Sequence, residues 1–147
     1  MAPAVLLSRA RDAAARAVQA DPALADAHAA VGYVRFLLEW DWPGAEAALR
    51  CAVALDASCA VGVRTVGHLL SQTARHAEAR AVMSRLREID PLYAMNHAMS
   101  AQVAFQARDY AEALAHARRA IVIDPEFWIG PLCGLEREFC TRCVRSA

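Results

Sequence analysis

Three aspartates, Asp56, Asp90 and Asp124, stand 34 residues apart, and a fourth, Asp21, stands 35 before the first of them. Each sits inside the same phrase: "AVQADPALADAH", "AVALDASCAVGV", "LREIDPLYAMNH" and "AIVIDPEFWIGP". A fixed period of this length constrains the fold more than any local motif does. A unit of about 34 residues holds two short amphipathic helices, neither can bury its apolar face alone, and neighbouring units must stack. The 35-residue spacing gives the first full unit one extra residue, near Trp40.

The units divide into a helix A and a helix B. In the first, A runs near Ala25–Leu38 and B near Pro43–Leu55. In the second they run near Ala60–Gln72 and His76–Ile89, and in the third near Ala94–Ala107 and Tyr110–Ile123. Pro91 and Pro125 cannot continue a helix and bias the preceding aspartate toward an extended backbone, which ends each B helix. Small residues recur where helices must approach closely: Gly32, Gly67 and Ala101 in the A helices, and Ala45, Ala79 and Ala113 early in the B helices. Ala52, Leu86 and Ala120 follow later in B, and leucine in that series is expected to loosen the packing slightly.

On Gly32, Ala45, Ala52, Gly67, Ala79, Pro91, Tyr110, Ala113, Ala120 and Pro125 the chain resembles the tetratricopeptide repeat (TPR) family, over about Ser8 to Phe127. The resemblance implies an all-α solenoid of antiparallel helix pairs wound into a right-handed superhelix. It holds about three full repeats after an N-terminal half-repeat. The wording "AHAAVGYVRFLLEWDWPGAEAALRCAVALD" is similar to TPR segments of multidomain bacterial signalling proteins, in which an effector domain precedes the repeats. No such domain is present in this chain.

The array is expected over residues 1–127. Ser8 to Ala20 reads as a B helix without its A helix, so it leaves an apolar face. "PAVLL", a neighbouring chain or a further part of a longer protein would cover that face. Beyond Phe127, "WIGPLCGLEREFCTRCVRSA" loses the pattern, and residues 128–147 read as an irregular tail or a capping helix with Leu135, Phe139 and Val144 turned inward.

The tryptophans flanking Asp41 fit the same frame. Trp42 holds the aromatic place just before helix B, where Tyr110 and His76 stand in the later units. Its ring is expected to fill the wedge between A and B, with Pro43 in the first turn and Asp41 as the cap. Trp40, at the insertion, is expected to close the lengthened turn.

Charge gives no nucleic-acid or membrane signal. Sixteen arginines balance sixteen acids, no lysine is present, and the signs are interspersed. No apolar run approaches the ~20 residues of a membrane span. Five cysteines in no disulfide-framework spacing suit a reducing compartment, so the expectation is a cytoplasmic protein. Cys133, Cys140 and Cys143 form one C-x-x-C pair with a third thiol. They lack the four ligands of a structural zinc site, so neither metal nor cofactor is expected. His28, His68, His76, His97 and His116 stand in no catalytic spacing, and no phosphate loop or nucleophile elbow is present. His28 and His97, each fourth in its helix, read as packing residues. The chain is not expected to be an enzyme.

Binding is the better-supported class. The resemblance implies that the A helices line a concave groove. Its positions fall on Asp26, Ala29, Tyr33, Phe36 and Leu37, then on Val61, Arg64, His68, Ser71 and Gln72, then on Met95, Ala98, Gln102, Phe105 and Gln106. Tyr33, Phe36, Leu37 and Phe105 would anchor a peptide or protein surface. Arg64, His68, Gln72, Gln102 and Gln106 would supply polar contacts. The family's carboxylate clamp for chaperone tails would fall on Ala29, Tyr33, Thr65, Met95 and Met99, none of which is a cation. Recognition of such tails is therefore not expected. The rival reading is a structural element, a homo-oligomer that stacks copies through its exposed repeat ends.

Overall fold

A computed structural model describes residues 3–126, and among them every regular element is a helix. The helices are α1 (Pro3–Ala20), α2 (Ala25–Val34, prolonged by a π-helical turn at Arg35–Glu39), α3 (Trp42–Leu55) and α4 (Ala60–Gln72). They continue with α5 (His76–Ile89), α6 (Ala94–Gln106) and α7 (Tyr110–Ile123). The tail reading for residues 128–147, with its three cysteines, lies outside the described residues. One correction concerns a boundary. Helix α1 begins at Pro3, not Ser8, so "PAVLL" is its first turns and not a separate cover. Proline suits that start because its missing N–H would have no intrahelical partner there.

The repeated aspartate has a local cause. Asp56, Asp90 and Asp124 each follow a B helix with nearly one backbone conformation (φ −141°, −143° and −141°). The carboxylates of Asp21, Asp56 and Asp124 each accept the N–H two residues on, from Ala23 (3.0 Å), Ser58 (2.8 Å) and Glu126 (3.1 Å). Such a turn offers the backbone an alternative to another helical turn, and so stops the helix. The Ser58 hydroxyl and N–H hold the Asp56 carboxyl below the usual carboxylate range.

The A-to-B turns repeat as closely. Trp40, Ala74 and Arg108 occupy the left-handed region at φ 59°, 61° and 62°, and they too are 34 apart. In the second and third repeats the N–H of Arg75 returns to Leu70 (2.8 Å) and that of Asp109 to Ala104 (2.9 Å), a Schellman closure. In the first, the N–H of Asp41 returns to Arg35 (3.0 Å), one residue further back. The inserted residue is therefore taken up before Trp40, inside the π-helical turn. Trp40 does not close a lengthened turn; it holds the ordinary left-handed place. The Asp41 carboxylate caps α3 by accepting the Gly44 N–H (3.0 Å), as expected, and Asp109 caps α7 through the Glu112 N–H (3.1 Å).

The chain divides into two compact units, one up to Leu69 and one from Leu70. In the first, Phe36, Ala45, Leu49 and Leu69 form a core, with Leu37, Trp42 and Val66 packed against it. Trp42 thus fills the wedge between α2 and α3. Its ring lies 6.4 Å from that of Trp40, which is 74% exposed. A second cluster joins Ala25, Ala29, Ala52 and Cys59. In the other unit Ala79, Met83 and Leu86 of α5, Ala101 and Ala104 of α6, and Ala113, Ala117 and Ala120 of α7 are buried. Leu86, where some loosening was expected, is fully buried. Arg80 joins the start of α7 through Asp109 and Glu112, both at 3.1 Å.

Candidate partner-binding faces

The small residues that let helices approach also decide which side chains reach solvent. At Gly32 a Cβ would lie 2.5 Å from Leu49 Cγ and 3.3 Å from the Ala45 carbonyl oxygen. Glycine is therefore what allows α2 and α3 to touch. With that face of α2 committed to α3, Tyr33, on the next position, is left 47% exposed.

The groove residues of the first unit divide into two sets. Tyr33 is open, while Arg64 and Leu37 are half-buried, Leu37 leaning on the α2–α3 core. Phe36 is 3% exposed, so its ring belongs to the core and is not open to a partner. His68 meets that ring edge-on, with centroids 5.0 Å apart at 88°, and burial holds His68 below the ordinary histidine value. In the second unit Gln72 is exposed and Gln102 half-buried. Phe105 is half exposed and meets Tyr110 edge-on at 5.6 Å. Gln106 accepts the Ser71 hydroxyl. Of the carboxylate-clamp positions, Ala29 and Thr65 are buried.

The histidines placed fourth in their helices have a specific task. His28 Nε2 is 2.8 Å from the Pro22 carbonyl oxygen, and His97 Nε2 is 3.0 Å from that of Pro91. Since the carbonyl only accepts, Nε2 carries the proton and donates. Each ring pins the turn that precedes its own A helix. The sequence pattern showed that these residues pack, but not what they hold. Around His97 a buried polar group is satisfied in series. Arg87 donates to Ser100 Oγ (2.7 Å), Ser100 donates to the Asn96 carbonyl (2.7 Å), and Asn96 Nδ2 donates to the Asp90 carbonyl (2.9 Å). His116 lies 6.1 Å from His97, ring to ring. Burial, then Arg87, pushes its pKa down, against the pull of Glu112. Cys59 donates its thiol to Asp26 (3.3 Å), and burial raises its pKa.

One cavity of about 570 Å³ opens beside Tyr33. Ala10, Ala13, Ala14 and Ala17 of α1 form one wall. Ala30, Tyr33 and Val34 of α2 form the other, with Asp26 and Val61 at one end. Among the described residues, no group of three His, Cys, Asp or Glu side chains is placed to hold a metal ion, and no helix is long and apolar enough to cross a membrane.

Paired helices repeating every 34 residues, closed by one left-handed turn and ended by one aspartate turn, are the fold of tetratricopeptide-repeat proteins. Solved structures agree. The chain is similar to YrrB, described as a TPR protein with an unusual peptide-binding site (TM-score 0.72, 22% identity, 88% of this chain and 66% of that one). It is similar to PilF of Pseudomonas aeruginosa (TM-score 0.71, 25% identity, 91% of this chain and 63% of that one). It is also similar to MamA (TM-score 0.66, 19% identity, 79% of this chain and 67% of that one). The chain thus spans about two thirds of the length of these proteins. No family model matches the sequence. No curated protein matches it either. What these likenesses show is the fold of the chain.

Proposed function

We propose that this chain is a non-catalytic protein-interaction module that holds a peptide, or an equivalent surface of a protein partner, on its A-helix faces. The observation that carries the reading is the half exposure of Tyr33 and Phe105, large aromatic side chains on A helices whose neighbouring apolar side chains are mostly buried. Exposed aromatics beside polar side chains are the composition of partner-binding hot spots. Leu37, Arg64 and His68 accompany Tyr33, and Gln72, Gln102 and Gln106 accompany Phe105. Phe36 acts as the support beneath His68 and not as an anchor. The peptide-binding site in the description of YrrB is consistent with this use of the fold. The partner is a protein or peptide; sixteen arginines balanced by sixteen acids leave no excess of positive charge to recommend a nucleic acid, and five cysteines in no disulfide-framework spacing suit a cytoplasmic setting.

A quantitative pull-down from host lysate tests it, comparing the wild-type chain with the triple variant Tyr33→Ala, His68→Ala, Phe105→Ala at equal helicity by circular dichroism. A partner lost in the variant places recognition on these faces. Equal recovery of the same partners removes it from them. Recovery of the protein alone favours self-assembly.

A further inference from the structure

The turn between α6 and α7 carries the aromatic pair of the second unit on its two sides. The Phe105 carbonyl accepts the Arg108 N–H (2.9 Å), and Tyr110 is the first residue of α7. Across the turn the two rings meet edge-on at 5.6 Å, each about half exposed. What fixes one ring against the other is therefore the turn itself. Its Asp109 N–H returns to Ala104 (2.9 Å), and Asp109 Oδ1 accepts the Glu112 N–H (3.1 Å). The second carboxylate oxygen is taken by α5: Arg80 Nη2 donates to Asp109 Oδ2 at 3.1 Å and lies 3.1 Å from Glu112 Oε2. The Glu112 N–H, and after it Arg80, hold the Asp109 carboxyl below its ordinary value against the opposing effect of desolvation. Arg80 reaches both carboxylates through one nitrogen, and its Nε is buried without an acceptor among the described residues. A buried donor left unpaired costs stability, and an apolar side chain would avoid that cost. The contribution of arginine here is thus the charge it brings to the first turn of α7.

The other A-to-B turns show what varies with that charge. In the first repeat Asp41 caps α3, Arg35 Nε lies 3.9 Å from Asp41 Oδ2, and the Trp40 and Trp42 rings pair at 6.4 Å. In the second repeat the cap position is Arg75, which makes no side-chain cap, and among the described residues no ring pair spans the turn. An aromatic pair thus accompanies an aspartate cap whose second oxygen faces an arginine. In the third repeat that arginine comes from the preceding B helix, so the turn is tied to the body of its unit. We infer that Arg80 is a positioning residue for recognition in the second unit: by bracing Asp109 it holds the first turn of α7, and with it Tyr110 as the wall against which Phe105 is presented. This role rests on the proposed function. A ring held in one orientation beforehand loses less freedom when a partner covers it. Without Arg80, the Asp109 and Glu112 carboxylates would lose the cation they share and repel one another at the start of α7.

Fluorine NMR of the full chain, with meta-fluorotyrosine at Tyr33, Tyr93 and Tyr110, tests the role. Tyr110→Phe assigns the Tyr110 signal, and Phe105→Leu removes the Phe105 ring current, so the shift between wild type and Phe105→Leu measures the pairing. Arg80→Met keeps an apolar stem without the charge and is expected to lose about half of that shift or more, while Arg80→Lys keeps most of it. Asp109→Asn retains a capping oxygen but not the charge that Arg80 meets, so it is expected to match Arg80→Met. A loss of global stability alone would not move the signal of the folded state. An undiminished shift in Arg80→Met or Asp109→Asn overturns the proposal. A shift lost equally in Arg80→Lys also overturns it, because shape and not charge would then hold the ring. The Tyr110 signal is read without a partner: if it behaves as expected while the triple variant recovers every partner, the proposed function fails and the bracing does not. Where the triple variant loses a partner, Arg80→Met is expected to lower recovery of that partner about threefold and Arg80→Lys to restore it. Recovery that Arg80→Met leaves unchanged would confine Arg80 to the fold and overturn its part in recognition.

Discussion

Leu49 Cγ stands 2.5 Å from where a Cβ on Gly32 would be, so one hydrogen atom separates α2 and α3 from a clash. Gly32→Ala is expected to destabilise the chain by about 1–3 kcal/mol, as overpacking of a tight core does. Because the obstacle is the leucine side chain, the double variant Gly32→Ala, Leu49→Ala is expected to cost less than the sum of the two single changes. Urea unfolding followed by circular dichroism, taken around the full double-mutant cycle, measures the coupling.

Ala74 and Arg108 hold left-handed conformations that cost a side-chain-bearing residue about 1 kcal/mol. Ala74→Gly and Arg108→Gly are each expected to raise stability by about 0.5 kcal/mol, after allowance for the freedom glycine gains in the unfolded chain. A higher urea midpoint with an unchanged slope is the expected result. A loss of stability in both would show that those side chains contribute more than the backbone strain costs.

The two described cysteines differ in environment. Cys51 is exposed, while Cys59 is buried, with a thiol pushed up by burial and by the Asp26 carboxylate it bonds. With Cys133, Cys140 and Cys143 replaced by serine, a thiol reagent at neutral pH is expected to label Cys51 rapidly. Cys59 is expected to react about a hundredfold more slowly, at the rate of local opening. Mass spectrometry of timed samples distinguishes the sites.

Acid is expected to weaken the fold. Burial depresses His68 below the ordinary value of 6.5, and it depresses His116 likewise, with Arg87 and His97 adding to the effect and Glu112 opposing it. A histidine with a lower pKa in the folded chain binds fewer protons there than in the unfolded chain. Stability therefore falls as pH drops from about 6.5 toward the folded values, and is at its plateau above that window. Urea midpoints between about pH 8 and pH 5 are expected to decline, and His116→Gln is expected to flatten the decline. An equally steep profile in that variant would assign it to other groups.

How much of this was legible depended on whether repetition could carry it. The bounds of α4, α5 and α7 follow from spacing alone, because the same aspartate turn and left-handed closure recur at one interval. The extra residue was legible as a length but not as a conformation. Helical periodicity cannot say whether a turn lengthens or a helix widens, and Trp40 was misplaced for that reason. Repeat register also gives a position without its burial. Phe36 and Phe105 are equivalent when counted from their helix starts, yet one is 3% and the other 47% exposed; the extra residue lies inside Arg35–Glu39, and counted back from Trp40 and Arg108 it is the buried Ala104 that matches Phe36. The pairing of His28 with Pro22 and His97 with Pro91 was visible only as a shared place, because a side chain of either tautomer and any polarity could fill it.

The widened turn at Arg35–Glu39 has a consequence for how such an array withstands errors in its own copying. A surplus residue at a junction would have shifted every later repeat out of phase with its neighbour. Held inside a helix, it stops there: the chain exchanges one i−4 bond for an i−5 bond, and by Trp40 the rhythm is restored. The fault tolerance of the array therefore lies in its helices, the elements that look least forgiving, and its turns are left free to stay identical.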